Sequence, residues 1–256
     1  MADTPKLLNR LKTKYARILQ DNLVGIYLHG SLVLNSYNEN VSDLDYLVIV
    51  KKPLTFSVKK EIMQVTVQNL WPLAPAKGLE FHILLLDSVT TYQNPISFEL
   101  HFSKMHLSSY LNNPDKYIKK MHGPDPDIIA HLMIVWKAGK TLVGPPISDV
   151  FVPISETAYW NSILFDISDA KETIQTNPMY MILNLCRALA YKKEKIIISK
   201  LAGGKWMLKN HPEKYGALIK TALKEYTSKQ VSDYTLAYQN FPLIEFAESI
   251  LIQLYQ

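Results

Sequence analysis

Apolar residues Leu7, Leu8, Leu11, Tyr15, Ile18 and Leu19 recur at helical spacing, and Pro5 suits a first turn, so the pattern predicts a helix over residues 5–20. Segments 24–28, 46–50 and 79–86 are short and rich in Ile, Leu, Val and Phe, which predicts three strands. Helical periodicity returns over 57–70, 97–111 and 125–140, the last opened by Asp125-Pro126. Helix, strand, strand, helix, strand, then helices describes a small mixed sheet with helices packed on it. From residue 144 the pattern changes. GPPISDVFVPIS reads as a linker, and amphipathic runs near 155–173, 178–192, 200–210, 212–226 and 241–255 follow, with KIIIS (195–199) ambiguous between strand and coil. The expected fold class is α+β: a sheet-containing domain over residues 1–150 and a bundle of about five helices over 151–256.

Composition narrows the functional classes. The chain has 256 residues and a net charge of +5, an excess too mild and too dispersed to argue for nucleic-acid or membrane binding. A single cysteine, Cys186, excludes an internal disulfide framework and a cysteine-based zinc site. The longest apolar stretches are strand-length, far short of the ~20 residues of a membrane span, and the N-terminus lacks the features of a signal peptide. The expectation is a soluble, cytoplasmic monomer acting on a small molecule.

The chemistry concentrates in Gly25-Ile-Tyr-Leu-His-Gly30-Ser31, eleven residues, then Asp43-Leu-Asp45 opening a strand. In a strand, positions i and i+2 share a face, so Asp43 and Asp45 would project two carboxylates together. Two acids held close repel, and a hard divalent cation relieves the cost; oxygen ligands with positions left for water and phosphate suit Mg²⁺, with two ions able to clamp a displacement at phosphorus. Gly30-Ser31 offers close backbone approach, a hydroxyl and N–H groups for phosphate oxygens. Glu80, early in the third strand, is a further metal ligand or a general base. His82 falls on the same face by alternation and reads as a core histidine. Any one of these features alone is more often a turn, a cap or a surface acid; their order along the chain is what points to function.

This pattern resembles the nucleotidyltransferase superfamily: an apolar strand, Gly-Gly/Ser, a short spacer, and Asp/Glu-x-Asp/Glu. A second resemblance runs through Ile182-Leu-Asn-Leu-Cys186-Arg187-Ala-Leu-Ala-Tyr191, Ile198-Ser-Lys200-Leu-Ala-Gly-Gly-Lys-Trp206 and a helix from Pro212 to Tyr226, and is to the C-terminal domain of aminoglycoside adenylyltransferases of the 3''/9 class. The resemblance implies transfer of AMP from ATP to a hydroxyl of an aminoglycoside or aminocyclitol, with Mg²⁺, expected as two ions, held by Asp43 and Asp45. It implies that Glu80 takes the hydroxyl proton and that Gly30, Ser31, Ser42, Arg187, Lys200 and Tyr226 contact the nucleotide, which is expected in a cleft between the domains. Arg187 also stands out without the resemblance. It is one of three arginines and sits in an apolar helical stretch, where a cation needs an anionic partner.

Three positions depart from the family, and two of them, Met105 and Asn177, belong to the acceptor side. His29 stands where relatives carry Phe or Tyr, Met105 where they carry Trp, and Asn177 where they carry an acid. Losing an aromatic platform and a carboxylate weakens recognition of a guanidinium-bearing polycation, which makes streptomycin a less safe assignment than spectinomycin. Rival readings are a nucleotidyltransferase that modifies a protein or another metabolite, and a non-catalytic nucleotide-binding module.

Overall fold

A computed structural model describes residues 2–91, 95–228 and 235–256. The chain divides into two compact units: Met1–Val33 with Ser42–Ser162, and Leu34–Val41 with Ile163–Gln256. Among the described residues no helix is long and apolar enough to cross a membrane.

The first unit is built on strands β1 (Leu23–Leu28), β2 (Leu44–Val50), β3 (Leu79–Leu85), β4 (Ile96–Phe98), β5 (Leu100–Phe102), β6 (Gly123–Asp125) and β7 (Lys140–Val143). Five form a mixed sheet of order β5-β3-β2-β1-β7; β2 and β3 are parallel, the other neighbours antiparallel, and β4 pairs with β6 separately. The apolar run of β2 is buried at every position. Helix α1 (Thr4–Leu19) is capped by Asp3, whose carboxylate accepts the Lys6 N–H, and it buries Leu7, Leu11, Tyr15 and Leu19, one stripe four residues apart. A single turn, α2 (Gly30–Val33), follows β1, and α3 (Phe56–Val65) follows β2.

Alternation along the strands gives the sheet two chemically different faces. Tyr46, Phe81 and Phe102 are cross-strand partners in register and are fully buried. Tyr15 of α1 meets this row edge-on, and its hydroxyl lies 2.8 Å from Thr66 Oγ1 and 3.2 Å from Tyr46 Oη. The opposite face carries Asp45, Glu80, His82 and His101.

Helix was expected over 97–111; the segment instead forms β4, β5, a 3-10 turn and a short helix, Leu107–Asn112. Leu100 and Phe102 are buried while His101 faces the other way, so a period of two wins once β3 supplies hydrogen-bond partners. Residues 195–199 form no strand; Ser199 instead caps the helix Lys200–Asn210 by accepting the Ala202 N–H. The proline-rich run after residue 144 packs onto the first unit: Tyr27 Oη donates to the Pro145 carbonyl, Tyr27 and Phe151 rings meet edge-on at 4.8 Å, and Val152 N–H bonds the Val89 carbonyl. Packing therefore carries the first unit to Ser162, twelve residues past the expected division.

Among its described residues the second unit is built of helices after Ile163, and it includes the loop 34–41. Tyr226 Oη donates to the Ser36 carbonyl, and Asn38 Nδ2 donates to the carbonyls of Tyr226 and Ser228, which explains why a loop so early in sequence belongs to it. Helices Pro178–Glu194 and Lys200–Asn210 approach closely because Gly203 and Gly204 lie at the crossing; a Cβ at Gly203 would stand 2.7 Å from the Arg187 backbone nitrogen.

Candidate active site

The register of β2 and β3 assembles the acids. Asp45 and Glu80 are direct partners in the parallel pair, and Asp43 lies two residues before Asp45, so all three side chains leave the same face. One carboxylate oxygen from each falls within 4.8 Å of the others. Asp45 is buried, at 9% exposure; Asp43 and Glu80 are half-buried. Three carboxylates at this spacing repel strongly, and an all-oxygen donor set of this kind fits Mg²⁺.

Gly30 completes the corner. Its φ is +64°, a conformation costly for any residue with a side chain, and a Cβ there would lie 1.8 Å from Asp45 Oδ2. The glycine is thus required twice, by its backbone angle and by the carboxylate pressed against it. Ser31 Oγ is buried without a hydrogen-bond partner, an orphan acceptor and donor of the kind a phosphate oxygen satisfies. Ser42 is buried directly before Asp43, its carbonyl accepting the Lys77 N–H. The turn α2 has only four residues, so its dipole adds little.

Beside the acids lies a group the sequence did not disclose. His82 pairs in register with His101, and their rings stack at 3.9 Å with planes 14° apart. His82 Nε2 is 3.2 Å from Asp125 Oδ2, and His101 Nε2 is 3.6 Å from Glu80 Oε1. Burial holds the His101 pKa down at about 4 and that of His29 at about 3; burial also lowers His82, against the opposing pull of Asp125. Asp125 is itself driven up by burial, but the hydrogen bonds from His82 and the Asp127 N–H outweigh this and leave it lowered. His82 was expected as a core residue, and its buried, stacked ring agrees. The membership of His101 and Asp125 required knowledge of which strands pair.

Met105 is 80% exposed in the turn Lys104–His106. In the second unit, Arg187 lies 3.6 Å from Asp166 Oδ2, the anionic partner its apolar setting called for. That carboxylate also accepts from Asn184 Nδ2 at 2.5 Å and from Tyr180 Oη at 3.2 Å. Lys200 Nζ sits 4.3 Å over the Tyr180 ring. Arg187, Tyr180 and Lys200 thus form one cluster. Tyr226 spends its hydroxyl on the Ser36 carbonyl, and Asn177 is exposed at the start of the Arg187 helix.

Residues 5–95, which hold β1 to β3, the glycine turn and the three acids, match the nucleotidyltransferase domain family. Residues 149–251 match the family of aminoglycoside adenylyltransferase C-terminal domains, a boundary that starts where the sequence pattern changes although packing continues to Ser162. With a nucleotidyltransferase domain match followed by an adenylyltransferase C-terminal domain match, the chain resembles the spectinomycin adenylyltransferases. It is 22% identical over 256 residues to a spectinomycin 9-adenylyltransferase of Campylobacter jejuni, covering 98% of this chain and 96% of that protein. It is 22% identical over 239 residues to the enzyme of the same name from Enterococcus faecalis, covering 90% and 89%. The fold superposes on the crystal structure of the spectinomycin adenyltransferase AAD(9) from Enterococcus with ATP and spectinomycin, with a TM-score of 0.84 and 21% identity over 99% of this chain.

Proposed function

We propose that the protein transfers AMP from ATP to a hydroxyl of an aminocyclitol of the spectinomycin type. The observation that carries this reading is the convergence of Asp43, Asp45 and Glu80, with carboxylate oxygens within 4.8 Å, against a glycine turn that leaves no room for a side chain. Asp43 and Asp45 would hold Mg²⁺, which when bound supplies neutralisation of the triphosphate charge. Gly30, Ser31 and Ser42 bind phosphate oxygens, and the buried Ser31 hydroxyl gains the partner it otherwise lacks. Glu80 accepts the proton of the acceptor hydroxyl as its oxygen bonds to the α-phosphorus, and the bond to pyrophosphate breaks on the opposite side. Rate comes mainly from positioning and charge complementarity.

Arg187 and Lys200 are the cations assigned to the leaving phosphates, with Asp166, Tyr180 and Asn184 fixing their direction, and Tyr226 is assigned a nucleotide contact. Met105 and Asn177 are assigned to the acceptor. Neither is an aromatic platform or an acid, which favours a compact aminocyclitol over guanidinium-bearing streptomycin, and both curated relatives carry spectinomycin in their names.

The experiment is incubation of the protein, Mg²⁺ and α-labelled ATP with spectinomycin, streptomycin and a panel of aminoglycosides. Labelled spectinomycin is the expected product. Glu80→Gln should cut turnover by about 10²–10³-fold while ATP affinity stays within a factor of about two. Label on a polypeptide instead would transfer the reaction to a protein acceptor. ATP binding with no pyrophosphate release across the panel would leave only a binding module.

A further inference from the structure

Five of the seven histidines are linked by ring contacts in the first unit: His29 with His131, His131 with His82, His82 with His101, and His101 with His106. AMP transfer as described uses none of them. Within this group, His82, His101 and Asp125 each offer one ligand atom, and these atoms lie within 4.8 Å of one another. We propose that these three residues form a second metal site, taking a borderline transition ion of the Zn²⁺ class and distinct from the acid trio.

The donor chemistry separates the two sites. Two imidazoles and one carboxylate suit Zn²⁺, Co²⁺ or Ni²⁺, whereas the all-oxygen trio suits Mg²⁺. Zinc bonds nitrogen and oxygen at ~2.0–2.2 Å, so tetrahedral neighbours stand roughly 3.3 Å apart. The 3.2 Å between His82 Nε2 and Asp125 Oδ2 already has that length. Parallel rings cannot both aim in-plane lone pairs at one ion, so His101 must turn about its Cβ–Cγ bond to close the site. It is free to give up its present nitrogen environment, because Nε2 is buried and makes no hydrogen bond. His82 Nδ1 is likewise buried without a hydrogen bond. Three protein ligands leave a fourth position for water. The fold supplies the site by register: β3 and β5 place the two histidines side by side, and β6 brings Asp125 up to them.

The proposal stands apart from AMP transfer and is tested by binding alone. Chelator-stripped full-length protein is titrated with Co²⁺ and, by calorimetry, with Zn²⁺, both in excess Mg²⁺ to occupy the acid trio. The expected result is one equivalent bound, with a Co²⁺ ligand-field band of low coordination number. His101→Gln and Asp125→Asn, each checked for folding by circular dichroism, should weaken binding by at least ~100-fold, more than an outer-sphere change costs. Asp43→Asn should leave it unchanged. Absence of the band, undiminished affinity in folded His101→Gln, or loss of the ion in Asp43→Asn would overturn the assignment.

Discussion

The two faces of the five-stranded sheet are one residue apart in sequence and opposite in character. On one, Tyr46, Phe81 and Phe102 interlock with Tyr15, and the buried hydroxyls of Tyr15, Tyr46 and Thr66 satisfy one another. On the other, three carboxylates crowd together, and His29, His82 and His101 each keep a buried nitrogen without a hydrogen bond. Burying polar atoms without partners and holding like charges together both cost stability. The aromatic face offsets that cost, and the same backbone register delivers both. Stability and chemistry are therefore separable by parity, and substitutions at neighbouring positions should have opposite signatures.

The largest contrast is between Asp45 and Phe81. Asp45→Asn should lower AMP transfer by 10³-fold or more, on the order of losing a central electrostatic group, while raising the urea midpoint of the metal-free protein, because one of three repelling charges is gone. Phe81→Ala should do the reverse: a loss of about 3 kcal/mol in stability from the cavity, with kcat at a fold-permissive temperature near that of the parent. Parallel urea titrations and initial rates decide it. A destabilised Asp45→Asn or a catalytically dead but stable Phe81→Ala would mean that the faces do not divide the work.

Gly30→Ala probes the seam between the two roles. The left-handed backbone angle costs an alanine ~1–2 kcal/mol, and the Cβ displaces the Asp45 carboxylate. Misplacement of a reacting group by an ångström is worth roughly 10²-fold in rate, so stability and kcat should fall together. Wild-type turnover in this variant would show that the carboxylate does not work from the position pressed against Gly30.

Much of this was legible in sequence because the governing periods are local. The i, i+2 spacing of Asp43 and Asp45, the glycine turn and the apolar runs of β1 to β3 depend only on neighbouring residues. Glu80 was legible as an acid early in a strand, while its pairing with Asp45 depends on β2 and β3 lying side by side. What escaped depends on distant chain. β5 is three residues long and β7 four, too short for a period to declare itself, and β7 is half-exposed at the sheet edge. Nothing near His101 or Asp125 says that they meet His82, because β5 reaches β3 by pairing and β6 comes in through its separate pairing with β4, not by local spacing. The linker reading failed for a related reason: proline-rich sequence resembles a connector until Tyr27 and Val89 bind it.

The smallest effect tests whether the polar face is as strained as its geometry implies. Burial, reinforced by the charge of His82, lowers the His29 pKa from 6.5 to about 3, and the His131 ring lies 4.8 Å away. In the unfolded chain His29 takes up a proton below about pH 6.5; in the folded protein it does not until about pH 3. The unfolded state therefore binds more protons across that window. The contribution of neutral His29 is complete above the upper value and is lost as pH falls toward the lower one, at up to ~1.4 kcal/mol per pH unit. Between about pH 7.5 and about pH 5 the expected loss is ~2 kcal/mol. His29→Phe, which keeps an aromatic ring at this buried position, removes this titration and leaves those of His82 and His101. The fall in urea-unfolding free energy from neutral to mildly acidic pH should thus be ~2 kcal/mol smaller in His29→Phe than in the parent. Equal slopes would mean that His29 is solvated in solution, and the polar face would then lose one of its three strained imidazoles.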